Sequence, residues 1–382
     1  MTPAAPTSPR RTVLAAKPSV TQREIDYVTD AVTNGWGTAC YDYLNRFSDA
    51  LRAFFGVPHV WPTSSCHGAL HIALKALGIG PGDEVIVPDL TWTGSVFPVS
   101  WLGATPVCVD SLATSWCIDP EAIAAAITPQ TRAIIVVHLY GNLCDMDAIM
   151  AIGRQHNIPV IEDAAEAVGS EYHDRPAGAI ADMGVFSMHG TKTLTTGEGG
   201  VLLCNREAYV EAINTIESQG RKPGKHIMFW VDEIGLKYKM SNIQAALGLG
   251  QVERAAELID AKRRVFDWYR SVLMEWPDIA LNPEPSGCRN SYWQPTVMFG
   301  ASWAMNEARR NALVTAVNAA GVNIRPVFYP VSKLPMYDAC PHNRVAYDLH
   351  GRGINLPSYF DMTRDDADYV LQILHGKLTS AE

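Results

Sequence analysis

The chain reads as an α/β protein: a large, mostly parallel sheet covered on both faces by helices, followed by a smaller α+β part. Three observations predict this. From about residue 20, short apolar runs of strand length alternate with stretches of helical periodicity, the pattern of strand–helix–strand units. The strand-like runs, such as RAIIVVHLYG and IPVIEDAAEA, are apolar along nearly their whole length, as expected of parallel strands buried on both faces. After Gly220 the composition changes and the regular alternation stops, which marks off the smaller part.

The elements follow in order. The opening stretch, MTPAAPTSPRRTVLAAKPSV, is Pro-rich, and only TVLAA separates the paired Arg10 and Arg11 from Lys17, too short for the apolar core of an export signal. Residues 1–18 are therefore expected to form a mobile tail. TQREIDYVTDAVTNG predicts a helix capped by Thr21, with Glu24 three residues on, and closed by Gly35. SSCHGALHIALKALGIG, from Ser64 to Gly80, predicts a tight turn feeding a helix, and PGDEVIVPDL a turn and a strand. GATPVCVD, RAIIVVHLYG, IPVIEDAAEA and GVFSMH predict further strands, with helices at AIAAAITP and MDAIMAIGRQHN. The stretch RKPGKHIMFWVDEIGLKYKMSN is basic, aromatic and poorly periodic, hence a long loop, and long loops tend to be functional. One helical run is expected from Ile243 to about Leu273, with Arg254, Lys262, Arg263 and Arg264 in solvent. YWQPTVMF and NIRPVFYP, with the helix NEARRNALVTAVNAAG between them, complete the smaller part. The expected division is a large domain over 19–250 and a small one over 251–382.

With 47% hydrophobic and 19% charged residues in 382, the chain can bury a core large enough for two domains. A net charge of −9 without a basic stripe argues against a nucleic-acid partner. No apolar run approaches the length of a membrane helix. The eight cysteines carry no CxxC pair and several sit in apolar runs such as GGVLLCN, so they read as reduced thiols of a cytoplasmic protein rather than disulfides or zinc ligands.

The chemistry concentrates in FSMHGTKTLTTGEGG, Phe186 to Gly200, and in the acids Glu162, Asp163 and Glu166 that close IPVIEDAAEA. Lysine is nucleophilic only when its ammonium is destabilised, and a site built for a carbonyl cofactor does this while holding the lysine as a Schiff base, which points to Lys192. Pyridoxal phosphate also needs an acid to pair with its pyridinium nitrogen, and Asp163 at the carboxyl end of a buried strand is placed for that. Its phosphate needs hydroxyls and N–H groups at a turn, for which the same run offers Ser187, Thr191, Thr193, Thr195, Thr196 and four glycines.

Taken in order, GIGPGDEVIVPDLTW, GATPVCVD, ITPQTRAIIVVHLYG, IPVIEDAAEAVGS, FSMHGTKTLTTGEGG, YKMSNIQAALGLGQVER and RPVFYP resemble the DegT/DnrJ/StrS family of pyridoxal-phosphate sugar aminotransferases over nearly the whole chain. The resemblance implies an aspartate-aminotransferase fold (fold type I), a homodimer with shared active sites, and ping-pong transfer of an amino group from glutamate to a keto or aldehyde sugar. The members it resembles most make perosamine or aminate related keto sugars, which implies a nucleotide-linked 4-keto-6-deoxy sugar and a role in surface polysaccharide or a glycosylated product. By the same resemblance Lys192 falls on the Schiff-base lysine, Asp163 on the pyridinium partner, Glu166 beside the ring hydroxyl, Ser187 on a phosphate ligand and Trp92 on the ring stacked over the cofactor.

Three departures stand out. Cys66 and His67 replace the usual Gly-Thr of the first phosphate-binding turn, so that His67 either packs, adds a donor or shapes the substrate pocket. Lys237 replaces an Asn that in many relatives reaches the neighbouring subunit's phosphate, so that it either strengthens that contact with a full charge or stands solvated. Tyr329 and Ser332 replace two histidines of the small domain, so substrate recognition there does not carry over; Trp230, Arg325 and Tyr329 are the candidate substrate contacts, and Trp230 and Trp293 are as readily core as stacking surfaces. Lys192 argues against a dehydratase of the same family, in which the lysine is replaced. Three alternatives stay open: an aminotransferase for an unactivated keto sugar or a sugar acid such as an 8-oxo-3-deoxyoctulosonate, a non-catalytic cofactor-binding regulator, and a desulfurase using Cys340.

Overall fold

In the computed structural model, which describes residues 11–224 and 227–379, the apolar runs assemble into one seven-stranded sheet. Its spatial order is His59–Thr63, Gly200–Cys204, Met183–Ser187, Val160–Asp163, Thr131–Val137, Glu84–Pro88, Thr105–Val109. Only Gly200–Cys204 runs against the rest, pairing antiparallel with both neighbours. The central strands are sealed on both faces: Val85, Ile86, Val87, Ile134, Ile135, Ile161 and Val185 have no exposed surface. Full burial of this kind explains why these strands show a continuous apolar run instead of alternation. Because they run in one direction, their carboxyl ends and the loops after Pro88, Val137, Asp163 and Ser187 share one edge of the sheet.

The smaller part is a four-stranded antiparallel sheet in the order Ile279–Leu281, Thr296–Phe299, Gly353–Asn355, Arg325–Pro326. Val297, Phe299, Val317, Ile354 and Leu374 form its core with the helices Glu307–Ala319 and Arg364–Thr379. Only two residues of NIRPVFYP pair as strand, since the prolines at 326 and 330 supply no ladder N–H.

Two expectations need correction. Residues 11–18 do not hang free: Val13, fully buried, bridges to Val322, and Arg11 and Lys17 pair with Asp366 and Asp361. Residues 1–10 of the expected tail lie outside the described residues. The helical run after Ile243 is two helices, Asn242–Glu253 and Ala255–Leu273, broken at Arg254 where φ is −110° and ψ 11°. Nor are its cations all in solvent. Arg254 is buried and its Nη1 lies 2.9 Å from Oε1 of Glu24, on the helix Gln22–Asn34 that packs across this break. Lys262 is buried against two carbonyl groups, Arg263 pairs with Glu284, and Arg264 alone is exposed. The expected capping box at Thr21 and Glu24 is present, and Glu24 thus serves its own helix end and the Arg254 pair together. All eight cysteines are free thiols, and among the described residues no helix is long and apolar enough to cross a membrane.

Candidate active site

A cavity of about 500 Å³ opens at the shared edge of the large sheet, bounded across from it by Trp293, Arg325 and Phe328 of the smaller part. Its acids come from one strand end. Asp163, the last residue of its strand, accepts from Ser95 Oγ at 2.7 Å on Oδ2 and from the Ala165 N–H at 3.0 Å on Oδ1, so both oxygens are held. Behind Ser95 stands Thr91, their hydroxyl oxygens 3.1 Å apart. Glu162, its neighbour on the strand, points to the other face. It is consumed in the core, accepting from His138 Nε2 at 2.9 Å and from the N–H groups of Gly178, Ile180 and Ala181. Glu166, on the turn that follows, accepts from the Tyr140 N–H at 2.8 Å and lies 3.4 Å from Lys192 Nζ. Burial pushes its carboxyl above the ordinary carboxylate range, while Lys192 and the Tyr140 N–H act against that rise without cancelling it.

Lys192 Nζ stands between Glu166 and the face of Trp293, 3.5 Å from the ring centroid. The Trp293 indole N–H donates to Thr191 O at 2.9 Å, which ties the ring to the loop that carries the lysine. An aromatic wall continues from there: Tyr140 lies 6.2 Å from Trp293, Phe328 5.1 Å from Tyr140, and the half-exposed Trp92 5.8 Å from Phe328.

At another part of the cavity Ser65 caps the helix Cys66–Ala76, its hydroxyl accepting from the Gly68 N–H at 3.0 Å. Cys66 and His67 occupy the first turn, whose N–H groups have no acceptor within the helix. Gly200 crosses so close to this turn that a Cβ there would lie 2.4 Å from the Cys66 nitrogen. Only glycine therefore lets the strand and the helix end meet. Ser187 is the register partner of Gly200, which brings its hydroxyl beside the same turn.

The cavity thus collects Cys66, His67, Trp92, Asp163, Glu166, Ser187, Lys192 and Arg325 of the residues expected from sequence. Three others lie elsewhere. Lys237 is exposed and outside the cavity of its own chain. Trp230 stands on the exposed part of the 221–241 loop, its indole N–H donating to Asp232 at 3.3 Å; Lys225 and His226 of that loop lie outside the described residues. Tyr329 does not line the cavity and packs on His350 with ring centroids 4.2 Å apart, while Arg325 and Phe328 take the cavity side. Ser332 is buried, donating to Asp89 at 2.7 Å. Among the threonines of the lysine loop, Thr191 lines the cavity, whereas the buried Thr195 and Thr196 donate to Met188 O and Glu198 O and shape the loop itself. Ser95 and Tyr140 were not foreseen as parts of the site, and Trp293, for which core and stacking surface were equally open, lines the cavity. Ser95 carried a usable signal, since TWTGS follows directly on a strand end at the carboxyl edge.

An amine flanked by a carboxyl group, an oriented carboxylate, an aromatic wall and a helix N-terminus opened by glycine are the parts a pyridine aldehyde phosphate requires, so the residues present fit pyridoxal 5′-phosphate. Residues 18–375 match the DegT/DnrJ/EryC1/StrS aminotransferase family. The chain belongs to that family. It is a pyridoxal-phosphate-dependent aminotransferase of fold type I. It is similar to the GDP-perosamine synthase of Caulobacter vibrioides, 38% identical over 365 residues covering 95% of this chain and 97% of the relative. The GDP-perosamine synthase of Escherichia coli O157:H7 is 36% identical over 360 residues, covering 94% and 96%. Among solved structures, the PLP form of the Streptococcus pneumoniae protein Spr1654 superimposes with a TM-score of 0.90 at 25% identity, covering 97% of this chain and all of that one.

Proposed function

We propose that this aminotransferase moves an amino group from glutamate to a keto or aldehyde sugar, a nucleotide-linked 4-keto-6-deoxy sugar, in amino-sugar biosynthesis. The observation that carries the proposal is the grouping of Lys192, Glu166 and Asp163 in one cavity, in a chain alike over nearly its full length to enzymes named for a GDP-linked amino sugar. The cofactor, when bound, supplies a carbonyl that takes up the amine and a ring that accepts electrons from the adjacent carbon.

The protein's part is position and proton transfer. Asp163, held by Ser95 and Ala165, presents a fixed negative charge for the protonated ring nitrogen. Cys66, His67 and Ser187 supply donors for the phosphate at the helix end, and Lys237 of a second copy adds a full charge there in a homodimer. Trp92 gives a flat apolar surface for the ring. Lys192 Nζ would hold the cofactor and, once displaced by the amino donor, would take the proton from the donor's α-carbon and return it, across the shared nitrogen, to the carbon that had been the cofactor's carbonyl. Glu166, 3.4 Å away, holds Nζ on that side of the cavity. Arg325, at the cavity rim, offers a bidentate cation for the donor's carboxylate or a phosphate of the sugar nucleotide.

The test is to supply the purified protein with the cofactor, glutamate and a GDP-linked 4-keto-6-deoxyhexose, and to look for the amino sugar by mass spectrometry. Formation of the GDP-linked amine supports the proposal. Turnover with unactivated keto sugars or sugar acids but not with the nucleotide-linked one refutes the acceptor class.

A further inference from the structure

The helix Ala255–Leu273 turns one face toward the segment that carries Trp293. Ile259, Lys262 and Phe266 share that face, three and four residues apart. Phe266 stacks on Tyr292 with centroids 3.6 Å apart and planes 8° from parallel. Ile259 fills the space over Gly169, where a Cβ would come within 2.4 Å of it. Between these two packed side chains lies Lys262, 5% exposed and, among the described residues, without a carboxylate in ion-pair range. Its Nζ donates to two main-chain carbonyls, Ser358 O at 2.6 Å and Trp293 O at 3.3 Å.

A buried cation with no counter-charge is a costly way to fill space, and an apolar side chain of similar volume packs there without that cost. Burial, with the nearby Lys192 adding repulsion, brings the Lys262 amine down to about 7. Either protonation state still has N–H groups for both carbonyls. What those bonds hold is Trp293, gripped at its carbonyl by Lys262 and at its indole N–H by Thr191 O, with the ring 3.5 Å from Lys192 Nζ. The residues before it are equally fixed, the Ser291 N–H on Ser170 Oγ at 2.9 Å and the Tyr292 N–H on Asn290 Oδ1 at 2.7 Å.

We propose that Lys262 is a positioning residue: by holding the Trp293 carbonyl it sets the indole against the Lys192 loop, and so fixes where Lys192 Nζ stands between Trp293 and Glu166. The proposal rests on Lys192 as the lysine that carries the cofactor. Misplacing a proton-transferring group by about 1 Å costs on the order of 100-fold in rate, so a pin one residue removed from the reacting amine matters to turnover.

The test is a double-mutant cycle on the cofactor-loaded protein: wild type, Lys262→Met, Trp293→Phe and the pair together. Two quantities are read, the circular dichroism of the bound cofactor's visible band and the kcat and KM of the glutamate half-reaction. Lys262→Met is expected to lower kcat by about 10- to 100-fold with little change in KM, and to alter the dichroism. Trp293→Phe is expected to act in the same direction, and the double variant to be no worse than the poorer single one. Wild-type dichroism and kcat in Lys262→Met, with only the melting temperature changed, would overturn the proposal, as would losses that multiply. Should Lys262→Met fail to fold, Lys262→Gln, whose shorter amide cannot span both carbonyls, takes its place in the cycle and is judged by the same outcomes. Borohydride reduction and peptide mapping of the wild type separate the underlying assumption: cofactor found on another lysine overturns both, whereas cofactor on Lys192 leaves the cycle to decide Lys262 alone.

Discussion

Ser95 offers the sharpest quantitative handle on the site. Its hydroxyl donates to Asp163 Oδ2 at 2.7 Å, and both residues are buried, so water does not replace the bond when it is lost. Ser95→Ala removes that donor without touching the carboxylate itself. A hydrogen bond to a charged group contributes about 1.5–3 kcal/mol. If Asp163 serves the ring nitrogen, the bond orients the charge where it counts. With about 1.4 kcal/mol per factor of ten, its full worth in the transition state is about 10- to 100-fold in rate. The assay is a single-turnover glutamate half-reaction, followed by the absorbance of the bound cofactor under saturating glutamate. Ser95→Ala should fall in that range, Asp163→Asn should bind cofactor and lose most of its rate, and Thr91→Val, one hydroxyl further out, should lose less than Ser95→Ala. A Ser95→Ala rate within about two-fold of wild type, well below what a charge-assisted bond supplies, would refute the reasoning. An unchanged Asp163→Asn would mean that another acid serves the ring.

Lys192→Ala is expected to abolish covalent attachment of the cofactor and all transamination, measured by mass spectrometry of the reduced protein and by 2-oxoglutarate release; full turnover would sink the assignment. In a shared-site dimer, mixing a Lys192→Ala chain with a Lys237→Ala chain should restore activity that neither parent has, and inactive mixed dimers would count against a role for Lys237 across the interface. Arg254→Met leaves Glu24 buried without its cation and should cost about 3–5 kcal/mol in urea unfolding, against little change if the pair is solvated. Glu24 also sets a pH dependence: burial raises its carboxyl, but the bonds from Thr21 and Arg254 outweigh that and hold it below the ordinary value. Its contribution is thus fully present above the unfolded carboxylate pKa and is lost as pH falls through the lower folded one. The stability gap between wild type and Glu24→Gln should be flat near neutrality and close in acid; a gap that widens in acid would contradict the sign.

Where the sequence spoke clearly, the cause was local. The central strands were legible because burial on both faces leaves an unbroken apolar run, and the Thr21 helix because its cap is written within four residues. The edge strand His59–Thr63 and the antiparallel Gly200–Cys204 were not foreseen, the latter because GGVLLCN is equally apolar as strand or as any core segment. Arg254 and Lys262 looked like solvated helix charges since their partners, Glu24 and the carbonyls of Trp293 and Ser358, lie far away in sequence. In the site, the lysine and acids were legible from residue type at a strand end. Trp293 stayed open between core and stacking surface, because its place under Lys192 depends on how the smaller part packs over the sheet. Tyr329, expected as a substrate contact, lies outside the cavity lining because it packs on His350, a partner 21 residues further along the chain that the local sequence does not reveal.

The most direct test of the whole account is the visible absorbance of the protein reconstituted with pyridoxal 5′-phosphate, recorded before glutamate, after glutamate, and after a GDP-linked 4-keto-6-deoxyhexose is added. Loss of the bound-cofactor band with glutamate, release of 2-oxoglutarate, and return of the band on adding the sugar, with the GDP-linked amine appearing in step, is the predicted result. A band that neither glutamate nor the sugar nucleotide moves would contradict it.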